Sequence, residues 1–231
     1  MPNNTIMALD IETVPQQEQS ELSPTVKEWT EKRLDKINEG KEGDDRWDYQ
    51  KLASLDWDLG RVVCISLGLY DEPSGTIRLK SVAGENEKEL LTGFNEVIAN
   101  FKGDYLHYNG LGFDIPFILQ RMAYNRIKPA EKRISQLARY RTSPHYDLMQ
   151  VWANWDYTRT KPLSVLSKIV GLPNPKQDMD GSMVNKYFQQ GKLDEIIKYC
   201  EFDTATVLNL YLYLVEGKPV VSLDGYKFSN A

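Results

Sequence analysis

Asp10 and Glu12 stand two residues apart in Thr5 to Glu12, a run that reads as a β-strand. With a period of two, both carboxylates leave the same face of that strand. Met7, Leu9 and Ile11 take the other face, and Ile6 and Ala8 make the acid-bearing face apolar at its start. Two carboxylates held about 4 Å apart repel by roughly 4 kcal/mol at an effective dielectric of 20. A divalent cation turns that repulsion into attraction, and hard Mg²⁺ or Mn²⁺ suits oxygen ligands. The competing interpretation is two solvated acids at a strand end. Asp114 follows the glycine-containing loop Asn109-Gly110-Leu111-Gly112-Phe113 and opens a helix with Pro116 just inside it. An ordinary helix cap explains such an aspartate, yet a strand-to-helix turn also projects a side chain into a cleft. Tyr199 and Asp203 are four apart on a long helix and so share a face. Asp203 falls at the boundary of that helix's apolar stripe, where a charge needs a partner.

The elements that must position these groups follow from periodicity. Arg61 to Tyr70 and Thr76 to Val82 are β-rich and flank Asp71-Glu72-Pro73-Ser74-Gly75, which predicts a hairpin. Asn86 to Phe101 has helical spacing of Leu90, Leu91, Phe94, Val97 and Ile98. A short strand is expected at Asp104 to Tyr108, a helix from Asp114 to Asn125, and a last strand at Tyr146 to Leu148. Further helices are expected near Leu163 to Val170, Ser182 to Gln190 and Leu193 to Val215. Residues 16 to 60 read as a partly helical insertion, helical from Pro24 to Asn38. It is expected to pack against the body through Trp29, Trp47 and Trp57. Asp147 is expected to cap a helix, and His107 and His145 to be structural. The whole predicts one α/β domain over residues 1 to 231, a mixed sheet flanked by helices.

Taken in order, Asp10-Ile11-Glu12-Thr13, Asn109 to Phe117 and Tyr199 to Asp203 resemble the three motifs of the four-carboxylate 3′→5′ exonucleases. The similarity is to stand-alone enzymes related to the proofreading domain of family-B DNA polymerases. It extends to Leu163 to Gly171, Asp178 to Ser182 and Gly191 to Leu214. The histidine-bearing branch of that group would place a histidine where Lys198 stands, so the chain resembles the tyrosine-bearing branch. The resemblance implies a ribonuclease-H-like fold with a mixed five-stranded sheet. It implies two divalent ions, Mg²⁺ or Mn²⁺, held by Asp10, Glu12, Asp114 and Asp203, with Tyr199 orienting the attacking water. Thr13, Asn109 and Phe113 would contact the 3′-terminal nucleotide, Phe113 by stacking on a base. The implied substrate is single-stranded DNA with a free 3′ end. An exoribonuclease and a nucleic-acid-binding module without catalysis are the alternatives. Replication or repair proteins are the candidate partners, and proofreading would act in trans.

Composition bears on these readings. The net charge of −5 runs against a phosphate-binding surface. Four metal-binding carboxylates would account for most of it, and two divalent cations would offset them. From Arg121 to Arg141 seven basic residues accompany the single acid Glu131, a candidate nucleic-acid contact beginning at Arg121, or else a solvated helical face. Cys64 and Cys200 are the only cysteines, which excludes a disulfide framework and predicts two buried thiols. The longest nearly apolar run, Val62 to Tyr70, is far short of a membrane span, and Asp10 interrupts any signal core. A cytosolic location is expected, with no membrane partner.

Overall fold

The computed structural model describes residues 5–173 and 179–229. Five strands are present at the expected places: β1 (Ile6–Pro15), β2 (Gly60–Asp71), β3 (Thr76–Ala83), β4 (Asp104–His107) and β5 (His145–Asp147). A two-residue strand, β6 (Tyr226–Lys227), adds itself parallel to β3, so among the described residues the sheet has six strands in the order β5-β4-β1-β2-β3-β6 rather than five. Nothing in a two-residue segment supplies a period, and β6 forms only because α8 delivers the chain back to the β3 edge. β1 lies at the centre, antiparallel to β2 and parallel to β4.

The helices are α1 (Pro24–Asn38), α2 (Tyr49–Ser54), α3 (Glu87–Ile98), α4 (Asp114–Tyr124), α5 (Leu148–Trp152), α6 (Leu163–Val170), α7 (Val184–Gln189) and α8 (Leu193–Leu214). Each face of the sheet buries its own core. Met7, Leu9 and Ile11 pack with Leu90, Leu91, Phe94 and Ile98 of α3 and Ile115, Phe117 and Ile118 of α4. On the other face Ala8 packs with Ala205 and Leu208 of α8, and Cys64 with Ile196 and Cys200. The 22-residue α8 lies across β1, β2 and β3 on this face. Its close approach depends on Gly68, where a Cβ would come 3.0 Å from Thr204 Cγ2. No helix among the described residues is long and apolar enough to cross a membrane.

The 16–60 segment differs from expectation in how it docks. Trp29 is 46% exposed and carries Arg33 over its ring, so it packs against no core. Trp47 joins a small separate core of Leu22, Tyr49, Leu52, Ala53 and Leu59. Of the three tryptophans, Trp57 alone packs on the main core. Asn38 closes the segment by accepting from Trp47 N–H and donating to Trp47 C=O. The expected helix start at Ser182 falls in a 3₁₀ turn, Gly181–Met183, and α7 begins two residues later. Asp178 lies outside the described residues.

Candidate active site

β1 presents Asp10 and Glu12 towards α8, opposite Ser66 and Cys64 of β2. Directly after Glu12 the register shifts, a bulge of the kind that bends a strand and re-aims its side chains. Asp114 reaches the same place from another direction. The β1 ladder with β4 ends at Ala8 and Leu106, so the amide of Ile11 beyond it needs another acceptor. Ile11 N–H donates to Asp114 Oδ1 at 3.2 Å, which locks the third carboxylate to the strand between the first two. Phe113, not Asp114, occupies the N-cap, and Asp114 is the first helical residue of α4. From the facing helix, Tyr199 donates its hydroxyl to Asp203 one turn on.

The loop that delivers Asp114 is held from below. Asp147 caps α5 through Gln150 N–H, as expected, and also accepts from Asn109 N–H at 3.0 Å and Leu111 N–H at 3.1 Å. Those bonds and His107 beside it keep its carboxyl below the usual range despite its burial. His107 and His145 are buried, their rings joined by a 3.2 Å hydrogen bond, consistent with a structural role. Gly110 is required here, since a Cβ would lie 2.4 Å from the His107 ring.

The carboxylates are electrostatically frustrated. Burial raises Asp10 and Glu12 well above the ordinary carboxylate range. Asp114 and Asp203 then add repulsion at Asp10, and Asp10 and Asp203 add it at Glu12. Burial pushes Asp114 up to about 6, against the opposing influence of His107, and pushes Asp203 up to about 6 against the Tyr199 hydrogen bond. Tyr199 is raised by burial, by Asp203 and by Glu12, so its hydroxyl keeps its proton. The sequence did not single out Cys200, one residue past Tyr199. Its thiol donates to Asp10 Oδ2 at 3.5 Å, and one ligand atom each of Asp10, Glu12 and Cys200 lie within 4.8 Å of one another. Its spacing of three from Asp203 was the available signal.

Of the expected nucleic-acid contacts, Thr13 is buried and donates its hydroxyl to Ser54 C=O at 2.6 Å, tying β1 to α2. Asn109 adopts a left-handed φ of 67° in the loop before α4, and Phe113 packs its ring on Phe117 at 5.4 Å. Arg121 corrects the expectation. It is 6% exposed and holds Glu87 through two hydrogen bonds of 2.9 and 2.8 Å, with further bonds to Trp57 C=O and Gln16. A guanidinium so engaged inside the fold does not face a strand of nucleic acid. A cleft of about 320 Å³ opens beside Tyr199 and Asp203, walled by Leu163, Ser164 and Ser167 of α6 and by Phe202.

A central strand bears two acids, the βα turn before α4 a third and a helix laid across the sheet a fourth, all on an α/β fold of the ribonuclease-H-like type. The chain belongs to the family described as "predicted 3′-5′ exonuclease related to the exonuclease domain of PolB", matched over residues 54–230. That match takes in Asp114, Tyr199 and Asp203, while Asp10 and Glu12 precede it. No curated protein matches the chain. Among solved structures, the family B DNA polymerase of the hyperthermophilic archaeon Pyrobaculum calidifontis is similar, with a TM-score of 0.60 and 18% identity. The alignment covers 93% of this chain and 25% of the polymerase, so the chain spans about a quarter of that protein's length. The zinc-bound E. coli ExoI–ssDNA complex aligns with a TM-score of 0.44 and 14% identity, over 87% of this chain and 42% of that one.

Proposed function

We propose that the chain is a metal-dependent 3′→5′ exodeoxyribonuclease that shortens single-stranded DNA from its 3′ end and releases 5′-mononucleotides. The observation that carries this reading is the convergence of Asp10, Glu12, Asp114 and Asp203, whose mutual repulsion and burial leave them short of positive charge. The donor set fits hard divalent ions, because it consists of carboxylate oxygens. Cys200 borders this set: burial and the neighbouring Cys64 push its thiol up, and it donates to Asp10. Two Mg²⁺ or Mn²⁺ ions held by the four carboxylates would supply Lewis-acid activation of water and stabilise charge on the leaving 3′-oxygen.

The remaining work falls to the chain's own groups. Tyr199 holds its proton and is fixed by Asp203, so its hydroxyl is placed to orient the attacking water. Asn109 and Phe113 line the loop beside Asp114, where Phe113 offers a ring face to the terminal base. Thr13 acts through the backbone, because its hydroxyl is engaged by Ser54. The test is digestion of a 5′-labelled single-stranded DNA oligonucleotide with Mg²⁺ or Mn²⁺, beside Asp10→Ala. A ladder shortening from the 3′ end in the parent and absent in the variant is expected. No cleavage with either ion would remove the proposal, and faster cleavage of a matching RNA would reassign the substrate to RNA.

A further inference from the structure

Outside the carboxylate cluster, a set of exposed aromatic and basic side chains flanks the edge strand β5 in sequence. Tyr140 is 75% exposed and its ring packs on that of Trp155, with centroids 5.0 Å apart and planes 47° from parallel. Both residues adopt left-handed backbone conformations, φ 63° and 59°, which bulky side chains rarely take. Such conformations persist where the surroundings impose them, and here they hold an aromatic pair at the surface instead of in a core. Trp152 and Tyr157 are also exposed nearby in sequence.

Cations accompany the rings. Arg139 and Arg141 flank Tyr140, are exposed, and make no ion pair among the described residues. Arg159 is paired to Asp156 at 3.3 Å, and Lys161 is exposed. The Arg121 to Arg141 run is therefore not one helical face: its first member is buried and its last two stand free beside Tyr140. Aromatic faces stack on bases of any sequence, and unpaired arginines track phosphates.

Lys161 ties the segment that follows Trp155 to the βα loop of the site. Tyr108, at the end of β4 and next to the loop that carries Asn109 and Asp114, donates its hydroxyl to Lys161 C=O at 2.6 Å. Trp155 is six residues from Lys161, so by chain length it lies within about 20 Å of that contact. We propose that Tyr140 and Trp155, with Arg139 and Arg141, form a stacking platform for the single strand several nucleotides upstream of the 3′ end being cleaved. This rests on the exonuclease reading and adds a second, sequence-tolerant subsite to it.

The test is binding of a fluorescent oligo-dT 20-mer by anisotropy, in the Asp10→Ala background so that the strand stays intact. Tyr140→Ala, at a position too exposed to matter for folding, is expected to weaken binding about tenfold, the loss of one stacked base. Arg139→Gln with Arg141→Gln is expected to flatten the salt dependence by up to two phosphate contacts. Trp29→Ala, an exposed tryptophan on α1, is the control and should bind as the parent does. With the active chain, Tyr140→Ala should raise KM for the 20-mer and leave KM for a tetramer unchanged. Unaltered 20-mer binding by Tyr140→Ala in the Asp10→Ala background, with the chain that keeps Asp10 still cleaving DNA, would overturn the platform and leave the exonuclease standing. A parent that neither binds nor cleaves the oligonucleotide would overturn both.

Discussion

In the proposed site Asp203 would serve the chemistry at a cost in stability. Held up to about 6 by burial, it costs the fold free energy whenever it ionises without a counter-charge. Asp203→Asn removes that charge and keeps the shape. In EDTA at pH 7.5 the variant is expected to melt a few degrees above the parent, while its nuclease rate falls by at least a thousandfold. A variant that melts lower than the parent would show that repulsion is not what the carboxylate contributes. Tyr199→Phe keeps the ring against α8's neighbours and loses the hydroxyl that donates to Asp203. It should slow turnover by about a hundredfold, the lower range for a positioned proton-handling group, with KM little changed. Equal turnover of the two proteins would assign Tyr199 to packing.

Among the elements, α8 and β1 decide whether the carboxylates meet. Gly68 sets their separation through β2, since its missing Cβ leaves room for Thr204. Gly68→Val should push α8 outward, cost about 1–3 kcal/mol of stability, and reduce activity more than binding. A crystal structure or hydrogen exchange of α8 would locate the displacement, and full activity would deny the spacing its importance. The βα turn before α4 is the second such device. Asp147 holds it through the amides of Asn109 and Leu111, and so fixes the loop from which Asp114 projects.

At the scale of the whole molecule, the shifted groups predict a stability profile in pH. Asp114 and Asp203 have pKa values raised above the unfolded value, so their stabilising contribution is complete below about 4 and is lost as pH rises through about 6. His145 is depressed to about 4 by burial and by His107, so its contribution is complete above 6.5 and is lost as pH falls towards 4. Asp10 and Glu12, raised well above the ordinary range, carry the loss on past pH 6, so the metal-free protein should be less stable at pH 8 than at pH 6. Millimolar Mg²⁺ or Mn²⁺ should raise the pH 8 value and flatten that limb, by binding the ionised carboxylates of the folded state only. A metal-free Tm that climbs from pH 6 to pH 8 would contradict the frustrated cluster.

Strand and helix spans were legible in the residues because periods of two and 3.6 are local properties. β1 to β5 and the long helices stand close to where those periods put them. So was the pairing of Asp10 with Glu12 and of Tyr199 with Asp203, each fixed by spacing within one element. What lay beyond the sequence depends on which atoms meet across the fold. The bond from Ile11 N–H to Asp114 exists because the β4 ladder stops short. The Cys200 thiol touches Asp10 because α8 crosses β1 at that height. Arg121 turned inward to Glu87, and Trp29 outward to solvent, although the sequence suggested the reverse for each. Periodicity assigns a residue to a face of its own element. Only packing decides what that face meets, because burial and charge pairing are settled by neighbours distant in the chain.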